Sequence, residues 1–291
     1  MGLNDPQYAP CLPANEFQRR RRLSCKLSIR MIVASVFVFV FSTPVTGQET
    51  QPGKQIPSTF RVVSYNIKHG RGNDNRVDLA RTAAVIEKLR PDFVGLQEVD
   101  ENAKRSNKVD QVAELAKRLG MNSAFGSFMD FQGGRYGMGI LSKHPIKSVT
   151  SVKLPKGNEP RVALAVEVAL PSGESIMLVN VHFDWVKDDA FRFAQAQELR
   201  SYLDTLEIAY ILLGDFNDQR GSRTLELLSR DSVDALKPAD DYFTFSSDKP
   251  TVEIDFIFAA PKSKWSVQKV KVIDEPIASD HRPVLAVLQT K

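Results

Sequence analysis

The chain of 291 residues is 42% hydrophobic and 25% charged, the balance of an ordinary globular protein with room for one large domain or two average ones. Its formal net charge of +4 is matched by the first 47 residues alone, where Arg19, Arg20, Arg21, Arg22, Lys26 and Arg30 face only Asp5 and Glu16. The remainder is formally neutral, which excludes a strong global field for collecting polyanions and leaves only a local basic patch open.

In chain order, the first element reads as an export signal. Arg19–Arg22 precede the apolar run Met31–Ser42, MIVASVFVFVFS, and small residues surround a candidate cut at Gly47–Gln48. The run is short for a membrane span of about 20 residues, so cleavage is expected ahead of anchoring, with an uncleaved signal anchor as the alternative. The expected product is periplasmic or secreted, monomeric, and without a stable membrane span. Both cysteines, Cys11 and Cys25, fall in residues 1–47, so a chain from Gln48 has no disulfide or thiolate chemistry.

Residues 48–58 are polar, with Pro52, Gly53 and Pro57, and read as a linker; residues 59–291 read as one domain. Phe60–Ile67 has the pattern of a strand ending in polar residues. Val77–Arg90 places Leu79, Ala83, Ile86 and Leu89 near helical spacing, and Pro91 stops it. Asp92–Val99 is again a strand and Asp110–Leu119 a short helix. Strand patterns follow at Ser123–Phe128, Gly137–Ser142, Ile146–Leu154, Val162–Leu170 and Ser175–His182. Asp188–Leu206 is the longest helical pattern. The strand Ala209–Gly214, a short helix near Thr224–Leu228, and strands at Glu253–Ala259, Val267–Ile273 and Pro283–Leu288 complete the series. Strands outnumber helices and helices occur in both halves, which favours two packed sheets with helices outside.

Strand after strand ends in an acceptor or a titratable group. Asn66 follows VVSY, Glu98 follows VGLQ, His182 follows LVNV and Asp215 follows ILLG; Asp255 lies in VEIDFIF, and Asp280 and His281 sit in PIASDHRP. Taken singly, Asn66 is a turn residue, Glu98 a solvated acid and His182 a half-buried histidine. Together they favour a site, because ligands gather where strand ends meet. Glu98 and Asp280 are hard oxygen ligands and Asn66 adds a neutral oxygen. Without cysteine, Mg²⁺, Mn²⁺ or Ca²⁺ fits better than zinc. His182 and His281 can transfer protons or donate to a charged oxygen, and Asp255 can hold one of them in a fixed tautomer. Water attack on a phosphoester needs these parts.

The ordered segments SYNI, LQEV, NVHFD, GDFND, EIDFIF and SDHRPV resemble the endonuclease/exonuclease/phosphatase superfamily, the DNase I-like metal-dependent phosphoesterases, over roughly Thr59 to Leu288. The resemblance implies an α+β fold, a four-layered α/β/β/α sandwich of two mainly antiparallel sheets flanked by helices. It implies Asn66 and Glu98 at the divalent metal, with Asp280 as a further ligand. Asp215 would orient or deprotonate the attacking water, and Asn217 would hold a phosphate oxygen. His281, paired with Asp255, would bind or protonate at the scissile phosphate, and His182 would stabilise the leaving oxygen or act as general acid. GGRYGMGILS resembles a further family segment, which implies a positioning role for Tyr136 at the substrate phosphate, but Met138 replaces the usual Asn and weakens that match. Arg161, in EPRVAL, is either a phosphate contact or a surface salt bridge. His69 and Lys68 line the cleft or are solvated, and His144 is a loop residue.

The departures narrow the substrate. Abasic-site endonucleases carry an acid where this chain has Lys68 and a tyrosine where it has His182, so DNA repair is disfavoured. A phosphodiesterase on nucleic acid, phospholipid or a small diester is the leading expectation. The alternatives are a phosphomonoesterase on sugar or inositol phosphates, a sphingomyelinase-like lipid phosphodiesterase, and a non-catalytic binding module on the same scaffold. Phe183 and Trp185, beside His182, read as core packing in preference to an apolar substrate wall.

Overall fold

The computed structural model describes residues 58–291. The expected export signal and all but the last residue of the expected linker lie outside the described residues. Among the described residues, no helix is long and apolar enough to cross a membrane.

Two six-stranded sheets stack face to face. The first is ordered β11 (Trp265–Val272), β12 (Val284–Thr290), β1 (Thr59–Asn66), β2 (Phe93–Glu101), β4 (Gly134–Ser142), β3 (Asn122–Phe131). The second is ordered β5 (Ile146–Lys153), β6 (Val162–Ala169), β7 (Ser175–His182), β8 (Tyr210–Asp215), β10 (Asp255–Ala260), β9 (Val233–Asp234). Each sheet has a single parallel pair at its centre, β1 with β2 and β7 with β8, and antiparallel neighbours elsewhere. A parallel pair needs a crossover. It is supplied by α1 (Leu79–Leu89) in the first sheet and α3 (Ala190–Leu203) in the second.

Burial on both faces explains why the central strands read as unbroken apolar runs. Phe60 and Val62 of β1 and Ile211 and Leu213 of β8 fill the core between the sheets. Val63 and Tyr65 turn outward beneath α1 and α2 (Gln111–Leu119), while Tyr210 and Leu212 pack under α3 and α4 (Arg223–Leu228). The result is the expected order of helix, sheet, sheet, helix. Helix ends follow local chemistry. Asp78 and Asp110 cap α1 and α2 by accepting the Arg81 and Ala113 amides, and Gly120 ends α2 in the left-handed region. The third helix is shorter than the Asp188–Leu206 pattern, because Asp189 and Asp204 flank it and Thr205 and Leu206 turn back toward β8.

Asn180 forms a polar tether through the inter-sheet core. The buried Asn180 of β7 donates to the carbonyls of Leu96 and Gly139, both at 2.9 Å, and accepts from Gln97 Nε2 at 2.7 Å. Leu96 and Gly139 are the last register partners before the β2–β4 ladder slips. Asn180 therefore satisfies carbonyls at the edge of a bulge.

Candidate active site

The carboxyl ends of both parallel pairs converge on one cleft. Asn66 ends β1, Glu98 lies near the end of β2, and His182 and Asp215 end β7 and β8 as direct register partners. Asp255, at the start of β10, is the partner of Asp215 on the other side. His281 arrives from the loop between β11 and β12 and is bridged to Phe245.

Asp215 Oδ2 is the focus of this set. Asn66 Nδ2 donates to it at 3.1 Å, and the Nε2 atoms of His182 and His281 each lie 3.6 Å away. Its second oxygen accepts the Asn217 amide at 2.9 Å. His281 Nδ1 meets Asp255 Oδ2 at 3.0 Å, which turns Nε2 toward the cleft. Burial raises the Asp215 carboxyl pKa, against the pull of His281 and with help from Asp255. Burial opposes charge on His281, yet Asp255 and Asp215 outweigh it and raise its pKa. His182 is different: burial, Arg161 and His281 all hold its pKa well below the usual range, so the ring is neutral.

Backbone strain aims two of these groups. Glu98 has φ +54 at the β2–β4 register shift, and a bulky residue is held there only when its surroundings over-determine it. Asn217 has φ +48, so the chain turns immediately after Asp215 instead of continuing extended. The two-apart spacing of Asp215 and Asn217 therefore does not work by strand alternation. Asn217 Nδ2 donates to the Phe183 carbonyl at 3.0 Å, and the turn keeps both side chains on the cleft. Gly214 has φ +147, and a Cβ there would stand 2.0 Å from the Val181 carbonyl oxygen. Asp218 points away and pairs with Arg192 at 3.4 Å.

The donor set suits a hard divalent cation. Glu98 accepts from Asn66 Nδ2 at 3.2 Å, and burial raises its pKa, with His281 opposing and Asp280 adding to the rise. Asn66 turns its amide nitrogen to the two carboxylates, while its oxygen accepts the Lys68 amide at 3.1 Å. Asp280 lines the cleft and is held by Lys68 Nζ at 2.6 Å. Asp215, Asp255 and His281 also bring donor atoms within 4.8 Å of one another. Asp215 and His281 line the cleft, and Asp255 Oδ1 has no hydrogen-bond partner among the described residues. Glu98, with Asn66 and Asp280 nearby, forms a second group of oxygen donors at the same cleft.

The substrate side is a cavity of about 340 Å³. Tyr136 and Arg161 both line it. Arg161 is 3% exposed, so it is no surface salt bridge; one nitrogen pairs with Glu159 at 3.1 Å while Nε and Nη1 have no partner among the described residues. Its guanidinium lies 4.9 Å from the Phe128 ring centroid. Phe245 packs against the His281 ring at 5.0 Å. Sequence reasoning missed Glu159 and Phe245, which carry no signal outside their contacts. It also paired Phe183 with Trp185. The structure separates them: Phe183 is core, against Phe216, whereas Trp185 is 59% exposed at the cavity. His69 is buried and its carbonyl accepts from Gln111, while His144 is a half-buried loop residue against Phe93.

Residues 63–281 match the model of the Endonuclease/Exonuclease/phosphatase family. A family protein from Beutenbergia cavernae is 24% identical, with 80% of this chain and 72% of that one covered and a TM-score of 0.63. One from Bacteroides vulgatus is 22% identical, covering 80% and 100%, with a TM-score of 0.67. A mannosyl-6-phosphatase from Bacteroides thetaiotaomicron is 19% identical, covering 79% and 99%, with a TM-score of 0.65. The matched span holds every strand-end residue of the cleft, and the chain belongs to the endonuclease/exonuclease/phosphatase family of phosphoester hydrolases.

Proposed function

We propose that the protein is an exported, divalent-metal-dependent phosphodiesterase that cleaves a small phosphoester by in-line attack of water. The observation that carries this is Asp215 Oδ2, gripped by Asn66 and flanked by two imidazoles, beside a cavity whose buried Arg161 has free N–H groups. A Mg²⁺, Mn²⁺ or Ca²⁺ ion held by Glu98, Asn66 and Asp280 would supply charge for the phosphoryl oxygens. Asp215, its basicity raised by burial, orients the water and takes its proton on Oδ2. His281, kept cationic by Asp255, donates from Nε2 to the phosphoryl group, and Arg161 offers Nε and Nη1 to its other oxygens. Neutral His182 donates a hydrogen bond to the leaving oxygen, a role its lowered pKa favours over that of a proton donor; the departing alkoxide then takes its proton from solvent water, and Asp215 returns its own to solvent. Asn217 and Tyr136 border the same phosphate position. Residues 1–47 direct export, and residues 59–291 act as a monomeric domain.

Hydrolysis of bis-p-nitrophenyl phosphate that needs added Mg²⁺ or Mn²⁺ and is lost in Asp215→Asn and His281→Ala tests this reading. Full activity in chelator would overturn the metal assignment, and unchanged activity in both variants would overturn the site. A second reading, a phosphomonoesterase on a sugar phosphate, is favoured by the modest cavity of about 340 Å³ and by the mannosyl-6-phosphatase with the same fold.

A further inference from the structure

The alcohol side of the cleft is organised around Trp185, an assignment that rests on the phosphoesterase reading. The indole is 59% exposed beside His182 and Asp215, although a tryptophan ring carries a large apolar area that folding normally covers. The segment is not free to fold the ring away. Asp184 is fully buried and accepts the amides of Asn158 at 2.6 Å and Val186 at 3.2 Å, while its own amide donates to Gln195 at 3.0 Å. Buried Arg192 donates to the carbonyls of Asp184 and Val186. Both chain neighbours of Trp185 are thereby clamped. The clamp also demands Gly157, where a Cβ would stand 2.3 Å from Asp184 Oδ2. Through Asn158 it fixes the backbone leading to Glu159, whose carboxylate lines the same cavity. A rigid backbone that holds an aromatic face open in a reaction cavity is a pre-organised binding surface.

We propose that Trp185 is the specificity residue for the substrate's alcohol: its indole face stacks on the C–H face of a hydroxylated six-membered ring, a hexose or cyclitol, whose hydroxyls donate to Glu159. Glu159 stands beside Trp185 on the cavity wall, where its carboxylate accepts from hydroxyl donors of a ring stacked on the indole. One indole is also too small an apolar area to seat acyl chains. The ring can be free or the headgroup of a lipid.

The chain has two tryptophans, and Trp265 is fully buried with its indole N–H on the Ala260 carbonyl, so Trp185 alone reports on the cleft. In Asp215→Asn with Mg²⁺ present, inositol 1-phosphate or a hexose 6-phosphate should blue-shift the emission, and glycerol 3-phosphate should not. In otherwise wild-type enzyme, Trp185→Ala should lower kcat/KM for a ring diester, glycerophosphoinositol, by about tenfold or more and leave the ringless diester bis(glycero)phosphate unchanged, while Trp185→Phe keeps most of the ring-ester rate; for an enzyme that hydrolyses monoesters, inositol 1-phosphate and glycerol 3-phosphate take their places. A soluble glycerophosphoinositol turned over as fast as phosphatidylinositol vesicles identifies a free ring, and the reverse preference a lipid headgroup; either supports the ring. Equal loss on ring and glycerol esters, no loss on either, or a shift produced by a mononucleotide and not by sugar phosphates overturns the proposal. Failure to hydrolyse any phosphoester overturns the enzyme reading instead, since the emission shift needs no turnover.

Discussion

Replacing Asn180 with leucine should damage the fold and the site together. The substitution keeps the side chain's size but removes three hydrogen bonds, to the Leu96 and Gly139 carbonyls and from Gln97. Two buried carbonyls and one amide lose their partner. Gln97 keeps only a 3.5 Å contact to Ser64, and its Oε1 already has no protein partner. A buried group left unsatisfied costs about 1–3 kcal/mol, so three such groups, partly offset by the leucine's apolar gain, give a loss of about 3–5 kcal/mol. For a domain of this size that lowers Tm by about 6–20 °C. The same carbonyls border the bulge that holds Glu98 at φ +54, so Mn²⁺ affinity should fall as well. Urea melts of residues 48–291 and calorimetric Mn²⁺ titration read the two effects. A loss below about 1 kcal/mol with unchanged Mn²⁺ affinity would refute the tether as the support of the bulge.

Other contacts give further outcomes. In metal-free protein, His281 should titrate above the ordinary histidine range by NMR, where only four histidines contribute, and Asp255→Asn should lower its pKa; a wild-type value near 6.5 would contradict the pairing. Burial, with Arg105 assisting, lowers His69 to about 4. Its unfolded counterpart takes a proton first, so this contribution to stability is full above about pH 6.5 and is lost as pH falls toward 4, by up to about 3 kcal/mol. His69→Gln should flatten that part of the profile, and an unchanged difference between pH 7.5 and 4.5 would count against it. Gly214→Ala sets a Cβ 2.0 Å from the Val181 oxygen and should cost more than about 4 kcal/mol or abolish soluble expression; a well-folded variant would show that β7 and β8 can part. Arg161→Met should keep the melting temperature within a few degrees and cut kcat by about a hundredfold; a loss confined to stability would assign Arg161 to the scaffold.

The layers were legible because both faces of each central strand are buried, so β1, β2, β7 and β8 announce themselves as apolar runs broken at their ends by polar groups. Those breaks also disclosed Asn66, Glu98, His182 and Asp215. Local spacing failed where the backbone leaves the extended region: Asn217 reaches the cleft through a left-handed turn, which strand alternation does not describe. It failed again where exposure depends on distant partners. Phe183 and Trp185 are equally apolar and two apart, and only the clamp by Asp184, Gln195 and Arg192 decides that one is core and the other faces the cavity. Arg161 was ambiguous for the same reason, since its burial comes from Phe128 and the cavity wall.

The proton network is divided between the two sheets. Asn66 and the His281 loop belong to the first, Asp215 and Asp255 to the second, and the hydrogen bonds that join them cross the seam. Hydrolysis is therefore a report that the halves have met. Because His281 enters only after β11, the proposed mechanism predicts that a nascent or truncated chain that stops short of it is inert even with the second sheet complete. Two separately expressed pieces, cut at the exposed Lys143 between β4 and β5, should regain activity only by reassociating, because Asn66 and Glu98 lie in one piece and Asp215, Asp255 and His281 in the other.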